Sequence, residues 1–284
     1  LPILLLFPSI VTWIESLSIG DVSRQIANYH TLFNITITIV LFPFAKQMVK
    51  LITKIVKDKQ GDDHVEKKLI YLDERIAQTP SIALTQTLKE IDRMGEIVFD
   101  NLKNSTEALF EYDEQKVDKV FEVEKTIDYL TNEITHYLIE FKGLQLSKSD
   151  LRVMGSLHHV VIDLERIGDL AENIANNANT RSDKKVPLSS EGLEELKTMS
   201  ERATQALRLS LDALRKRDVN RLPEVASLEQ QIDDMKIDYT NNHINRLQDK
   251  YCDPSAGVIF TNLVAIFERI ADHANNIASS LVVK

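Results

Sequence analysis

The chain is predicted to be all-α: the end of a helical membrane domain followed by a pair of three-helix bundles. Three observations predict this. Only eight Gly and seven Pro occur in 284 residues, and 27% of residues are charged, so long stretches run without a helix breaker. Two runs near the start, LPILLLFPSIVTWI (1–14) and QIANYHTLFNITITIVLFPFA (25–45), carry no formal charge. Further on the chain repeats itself: ERIGDLAEN at 165–173 returns as ERIADHANN at 268–276, 103 positions later.

The first run is too short to cross a bilayer alone, which takes about 20 residues, and no basic stretch precedes it as in a secretory signal. It reads as the tail of a membrane helix, with residue 1 an internal point of a longer protein. The second run has 21 residues and is less greasy than a single-span anchor, holding Asn28, His30, Thr31, Asn34, Thr36 and Thr38. Polar groups in a membrane helix face a bundle interior or an aqueous path, so His30, Thr31 and Asn34 either line such a path or pack. Lys46, Lys50, Lys54 and Lys57 follow at helical spacing, with Lys59 next. By the positive-inside rule this flank faces inward, which predicts a plasma-membrane protein with residues 46–284 in the cytoplasm. A buried helix of a soluble protein is the competing reading.

Charge separates the two parts. Residues 1–57 hold five basic side chains against two acidic ones, a balance of +3, which leaves −12 on the remainder of a chain whose net charge is −9. An acidic body excludes nucleic acid as a partner, because binding phosphate backbone requires a basic surface. The single cysteine, Cys252, cannot form an intramolecular disulfide and suits a reducing compartment.

Residues 58–79 read as a linker, with a short amphipathic piece around Leu69–Ile76. Thr79-Pro80 then opens a helix, Thr as N-cap and Pro where a missing N–H costs nothing. Six helices follow, near 80–111, 114–143, 149–180, 190–216, 219–249 and 254–282, with Asp113, Asp218 and Asp253 as further N-caps. The loop RSDKKVPLSS (181–190) divides them into repeat one, 80–180, and repeat two, 190–284. At an offset of 105, Leu88 matches Leu193, Met94 matches Met199, Glu124 matches Glu229 and Ile127-Asp128 matches Ile232-Asp233; the offset falls to 103 in the third helix. Repeats of this length are whole bundles with their own cores. In the third helix Val153, Leu157, Val160, Leu164, Ile167, Ala171, Ile174 and Ala178 recur at a spacing of three or four, the stripe of a core face.

Packing does not explain the acids. Glu124/Asp128, Glu165/Asp169, Glu229/Asp233 and Glu268/Asp272 are four Glu-x-x-x-Asp pairs at corresponding places. Residues i and i+4 lie one turn apart on one helix face, where like charges repel unless a cation sits between them. Two such helices face to face offer four carboxylates, an oxygen site suited to divalent cations or iron. Asn173 and Asn276 extend the stripe, Arg166 and Arg269 flank it, and His158 lies two turns before Glu165. A solvated acidic face paired with those arginines fits the same spacing. Glu133-x-x-His136 has no counterpart in the other half, where Asp238 and Asn241 stand, and no phosphate loop, nucleophilic triad or cysteine cluster occurs. The sequence therefore does not predict an enzyme.

The duplicated three-helix pattern with Glu-Arg-Ile-x-Asp-x-Ala-x-Asn-Ile-Ala in each third helix resembles the PhoU domain, over about residues 80–284. LDERIAQTPSIAL (72–84) and RQIANYHTLFN (24–34) resemble the C-terminal part of bacterial sodium-dependent phosphate cotransporters with a fused PhoU-like domain. The resemblance implies that residues 1–57 end a transporter domain, with sodium and phosphate sites mainly upstream, where Gln-Ser-Ser-type substrate motifs would lie. It implies a regulator of phosphate uptake that binds metal through the eight acids named above. Expected partners are the bilayer, the upstream transporter domain, inorganic phosphate and phosphate-signalling proteins. The alternative is a membrane-anchored adaptor that contacts signalling proteins without transport.

Overall fold

A computed structural model describes residues 13, 16, 21–44, 67–72, 80–140, 147–249 and 253–282. The lysine flank 46–59, the run 1–12, Thr79 and Cys252 lie outside the described residues. The chain separates into two compact units, Leu1–Asp63 and His64–Lys284.

In the first unit, helix α1 spans Val22–Leu41 and a 3-10 turn follows at Phe42–Phe44. Asp21 caps it, accepting from the Arg24 N–H at 3.1 Å. Within the uncharged run the α-helix stops at Leu41, because Pro43 has no N–H for the α ladder and the last turn tightens. The hydroxyls of Thr31, Thr36 and Thr38 donate to the carbonyls four residues earlier at 2.7–2.9 Å, which satisfies these polar groups within the helix. Phe33, Ile35, Ile39 and Val40 are exposed, as are His30, Thr31 and Asn34. Val22–Phe44 is long and apolar enough to cross a membrane. A second segment, Pro254–Ser279, passes the same test, but more than half of it is buried in the other unit, as in any core helix.

In the second unit, six helices make two bundles: α2 Pro80–Phe110, α3 Glu114–Glu140 and α4 Lys148–Asp183, then α5 Ser190–Lys216, α6 Leu222–Gln248 and α7 Pro254–Ser279. Within each bundle all three helices pack on one another, and α4–α7 and α2–α5 join the bundles. No strand occurs among the described residues, and the all-α prediction holds. Asp113 and Asp253 cap as expected, each accepting a backbone N–H two residues on at 2.9 and 2.7 Å, whereas Asp218 caps the 3-10 turn ahead of α6 and not α6 itself. The α4 start is earlier than predicted, because Ser147 and Asp150 form a reciprocal capping box. The α6 start is later. Pro223 cannot donate to Val219, so residues 219–221 form a 3-10 turn and the α-helix begins at Leu222.

The α4 stripe is buried from Leu157 to Ala178, with Val153 half-buried and packed against the edge of the core. Phe260, Phe267, Ile91, Met94, Leu102 and Ile134 are fully enclosed. Each such side chain contributes roughly 1.5–3 kcal/mol, so the bundles rest on these faces rather than on helix propensity.

The predicted amphipathic piece at 69–76 is replaced, over its described residues, by an irregular segment. Residues 67–72 lie along α2 as a strap. The N–H groups of Ile70 and Tyr71 donate to the fully buried Glu90 carboxylate at 2.9 and 2.6 Å, so they are unavailable to a helix ladder. Arg93 donates to Glu90 at 2.6 Å and to the Lys68 carbonyl at 2.9 Å, and Leu72 enters the core.

Candidate functional site: two acidic clusters

The first cluster lies where α3 meets α4. Val120, Val123 and Ile127 on α3 and Leu164, Ile167 and Ala171 on α4 are buried between the helices. That packing carries the intervening Glu124 and Asp128 toward Glu165, Asp169 and Glu172. Glu124 is only 5% exposed, and neither carboxylate oxygen has a hydrogen-bond partner. Its niche exists because residue 168 is Gly: a Cβ there would lie 2.7 Å from Glu124 Oε2 and 3.1 Å from Ile127 Cδ1. Burial, then the neighbouring carboxylates led by Asp128 and Asp169, push Glu124 up to about 8. Glu165 is also raised, by burial and Asp169 against the opposing pull of Arg166. Arg166, itself 52% exposed, reaches Asp169 at 3.2 Å and Glu165 at 3.6 Å from the rim.

The second cluster repeats the arrangement between α6 and α7. Carboxylate oxygens of Asp233, Glu268 and Asp272 converge to within 4.8 Å of one another. Glu229 adds a fourth acid and is half-buried; burial first, then Asp233, Asp272 and Glu268, raise it. Asp272 is raised by burial and by Glu268. Unlike the first cluster, this one holds a lysine: Lys236 Nζ donates to Glu268 at 2.8 Å.

Between the bundles α4 and α7 run antiparallel, as their cross-bonds require. Asp163 meets His273 at 2.8 Å and Asn276 at 3.5 Å, while Asn262 donates to Asn177 at 3.4 Å. Beside this seam Arg166, Asp169, Glu172, Asn173, Asn176 and Arg269 line a polar groove of about 240 Å³. The α2–α5 contact is charged as well, Arg208 pairing with Glu96 at 2.9 Å and stacking on Phe99 at 3.6 Å, with Arg215 bonded to Asp92 at 2.7 Å.

All eight acids singled out by spacing thus fall into two groups of four. Arg166 joins the first group, Asn276 binds Asp163, and Asn173 and Arg269 line the groove. His158 does not take the place envisaged for it: it packs edge-to-face on His159 at 6.1 Å, and the histidine at the seam is His273. Four contributors escaped the sequence reading: Gly168, Glu172, Lys236 and His273. Each stands where the halves differ, opposite Ala271, Asn275, Thr131 and Leu170, and those mismatches were the available signal.

The donor set fits a hard cation. Its candidate donors are carboxylate oxygens: one buried glutamate of the first group lacks any partner for both oxygens, and three carboxylates converge in the second, where Lys236 already bonds one of them. Oxygen-rich sites of this kind suit divalent ions of the magnesium and manganese type or iron.

The family model described as PhoU domain matches residues 91–178 and 196–281, one match for each bundle. Among relatives, the phosphate-specific transport system accessory protein PhoU homolog 1 of Thermotoga maritima is 26% identical over 205 residues, covering 70% of this chain and 85% of that one. The corresponding PhoU homolog of Synechocystis is 30% identical over 197 residues, covering 69% and 86%. YjbB of Salmonella typhimurium, named for inorganic phosphate export, is 21% identical over 228 residues; the match covers 79% of this chain but only 41% of that longer protein. The crystal structure of PhoU from Pseudomonas aeruginosa superposes with a TM-score of 0.66 at 25% identity, over 70% of this chain and 95% of its own. The PhoU relatives are named as accessory proteins of phosphate-specific transport systems. With both bundles matched in sequence and in fold, the chain belongs to the PhoU domain family.

Proposed function

We propose that this chain is the C-terminal part of a sodium-dependent inorganic phosphate transporter of the plasma membrane, and that its cytoplasmic PhoU bundles regulate phosphate movement. The observation that carries the reading is the presence, on one polypeptide, of a membrane-length apolar helix and two PhoU repeats. The match to a longer relative named for phosphate export, wider on this chain than the matches to stand-alone PhoU homologues, supports it. The exposed apolar side chains of α1, with its threonines bonded internally, suit a lipid or protein surround. Sodium and phosphate sites belong upstream in this reading.

Regulation acts through the carboxylate clusters. Glu124, Asp128, Glu165 and Asp169 would hold one cation, and Glu229, Asp233, Glu268 and Asp272 another; a bound ion supplies the positive charge that lets these acids stay ionised side by side. The protein's own part is to hold α3 against α4 and α6 against α7. Without an ion the crowded acids of the first group repel one another or, like Glu124, hold a proton, and the resulting change of packing between α3 and α4 reaches the strap through α2.

A deletion tests the reading. Cells expressing the full-length protein that carries this chain, with residues 80–284 removed, should show altered phosphate influx or efflux and lose their response to external phosphate. Unchanged rates and unchanged response reject it. The near-complete coverage of stand-alone accessory proteins favours a second reading, a membrane-anchored adaptor that contacts phosphate-signalling proteins. That reading is selected if phosphate flux is absent from liposomes containing the full-length protein while signalling output still depends on residues 80–284.

A further inference from the structure

Duplication makes the two clusters look interchangeable, yet their charges differ. The first gathers five carboxylates, Glu124, Asp128, Glu165, Asp169 and Glu172, with a rim arginine, Arg166, on Asp169 and Glu165. Arginine follows the glutamate in both halves, Arg166 and Arg269; Arg166 reaches its acids from the rim at 52% exposure, so the first cluster's cation lies outside and the second's, Lys236, bonds one of the converging acids. The second cluster has Asn275 in place of Glu172 and Lys236 in place of Thr131. Lys236 bonds Glu268 at 2.8 Å, and Glu268 is one of the three acids whose oxygens converge. Thr131, its counterpart, brings no charge, and its buried hydroxyl has no hydrogen-bond partner. In the first cluster both oxygens of the buried Glu124 also lack one.

We infer that the clusters are unequal cation sites: the first is open to a divalent ion, while the Lys236 ammonium serves as a built-in counter-ion that holds the second closed. The inference rests on the cation reading proposed above. A lysine carries three donors and a full charge on a flexible stem, so it satisfies clustered carboxylates as a small ion does. A divalent ion entering the second cluster must displace it, whereas one entering the first meets the two unpartnered oxygens of Glu124 and competes only with the rim Arg166. The bundles are thereby graded, responding first through α3–α4 and through α6–α7 only at higher ion concentration.

Manganese titration of the chelator-treated intact chain, followed by calorimetry and by the electron paramagnetic resonance signal of free Mn²⁺, tests this. Wild type should bind one tight equivalent, and Glu124→Gln should remove it. Lys236→Met should add a second equivalent within about tenfold of the first, while Lys236→Arg should keep the wild-type stoichiometry. The reciprocal Thr131→Lys should weaken the tight site by about tenfold or more, and it answers the question if Lys236→Met does not fold. Two equal equivalents in wild type, or one equivalent unaffected by Lys236→Met and by Thr131→Lys, overturns the inference but leaves the cation reading standing. No Mn²⁺ bound by any variant overturns both.

Discussion

Glu124 and Glu229 occupy the same place in the two repeats and live in different surroundings. Glu124 is sunk against Gly168 with no partner, whereas Glu229 is half-buried and its half has Ala271 where the first has glycine. A single methyl group separates the two niches: Gly168 leaves room for a carboxylate that a Cβ would crowd at 2.7 Å. One helix over, Lys236 bonds Glu268 of the second cluster where the first has the uncharged Thr131 and only the rim Arg166. Repeated acids therefore do not mean repeated chemistry. Small residues and counter-ions around an acid set its protonation and its appetite for a cation more than the acid's own recurrence does.

The largest contrast between repeats is at Glu90 and Glu195, which are 105 positions apart. Glu195 receives the Arg246 guanidinium at 2.6 and 3.1 Å and Asn242 at 2.9 Å, a side-chain arrangement internal to its bundle. Glu90 instead receives two backbone N–H groups of the strap and Arg93. Glu90→Ala leaves Arg93 and two amides unsatisfied at once, and should cost about 3–5 kcal/mol in thermal or denaturant unfolding. Glu195→Ala, at a pair that keeps some solvent contact, should cost less, about 1–3 kcal/mol. The strap should also become the first site of limited proteolysis in Glu90→Ala and not in Glu195→Ala. Equal losses and equal cleavage would mean that the strap is not specially anchored.

Legibility followed the physics of each feature. Helices and the duplication were readable because apolar spacing and caps are local: Leu157 to Ala178 marks a face, and Asp253-Pro254 marks a start. The grouping of acids was readable because i and i+4 share a face and the duplication supplied the second copy. What was not readable depends on neighbours distant in sequence. Glu90 is one of 43 acids and nothing in the sequence sets it apart, because its partners lie about 20 residues upstream, in backbone that carries no side-chain signature. Lys236 and His273 looked like ordinary surface residues until the fold set them against Glu268 and Asp163. Gly168 looked like an exchangeable small residue, since its role is space and space is not written in a pattern.

The pH response should separate the repeats next. Glu124 titrates near 8 in the fold against an ordinary 4.5, so between those values the folded state holds a proton that the unfolded chain has released. Stability is thus undiminished below the unfolded value and falls as pH rises toward 8, by up to about 1.4 kcal/mol per unit in metal-free protein. Glu165, Glu229 and Asp272 are raised as well and add smaller slopes of the same sign. Glu124→Gln, which keeps the neutral form at every pH, should remove most of the slope and be more stable than wild type at pH 8. Glu229→Gln should change it far less. Urea midpoints at pH 5, 6, 7 and 8 decide, and a wild-type curve that is flat or rising with pH would show that Glu124 is ionised where it lies.

The smallest change in stability should come from the substitution that makes the repeats most alike. Gly168→Ala places a methyl group 2.7 Å from Glu124 Oε2 and 3.1 Å from Ile127 Cδ1, both at the ends of flexible side chains. Glu124 can swing outward toward Asp128 and Arg166, regaining solvent as it goes. The lost burial and adjusted packing oppose the gain of about 1 kcal/mol in helix propensity from Gly to Ala, so the net effect should be within about 1 kcal/mol. The signature is elsewhere: an expelled Glu124 is solvated, ionises near its ordinary range, and the pH slope of stability should collapse toward that of Glu124→Gln. If Gly168→Ala instead keeps the slope while losing several kcal/mol, the carboxylate is fixed in its niche by packing and not admitted by the missing methyl. In that case Ala271→Gly would not draw Glu229 inward, and the difference between the repeats would belong to the whole helix interface rather than to one atom.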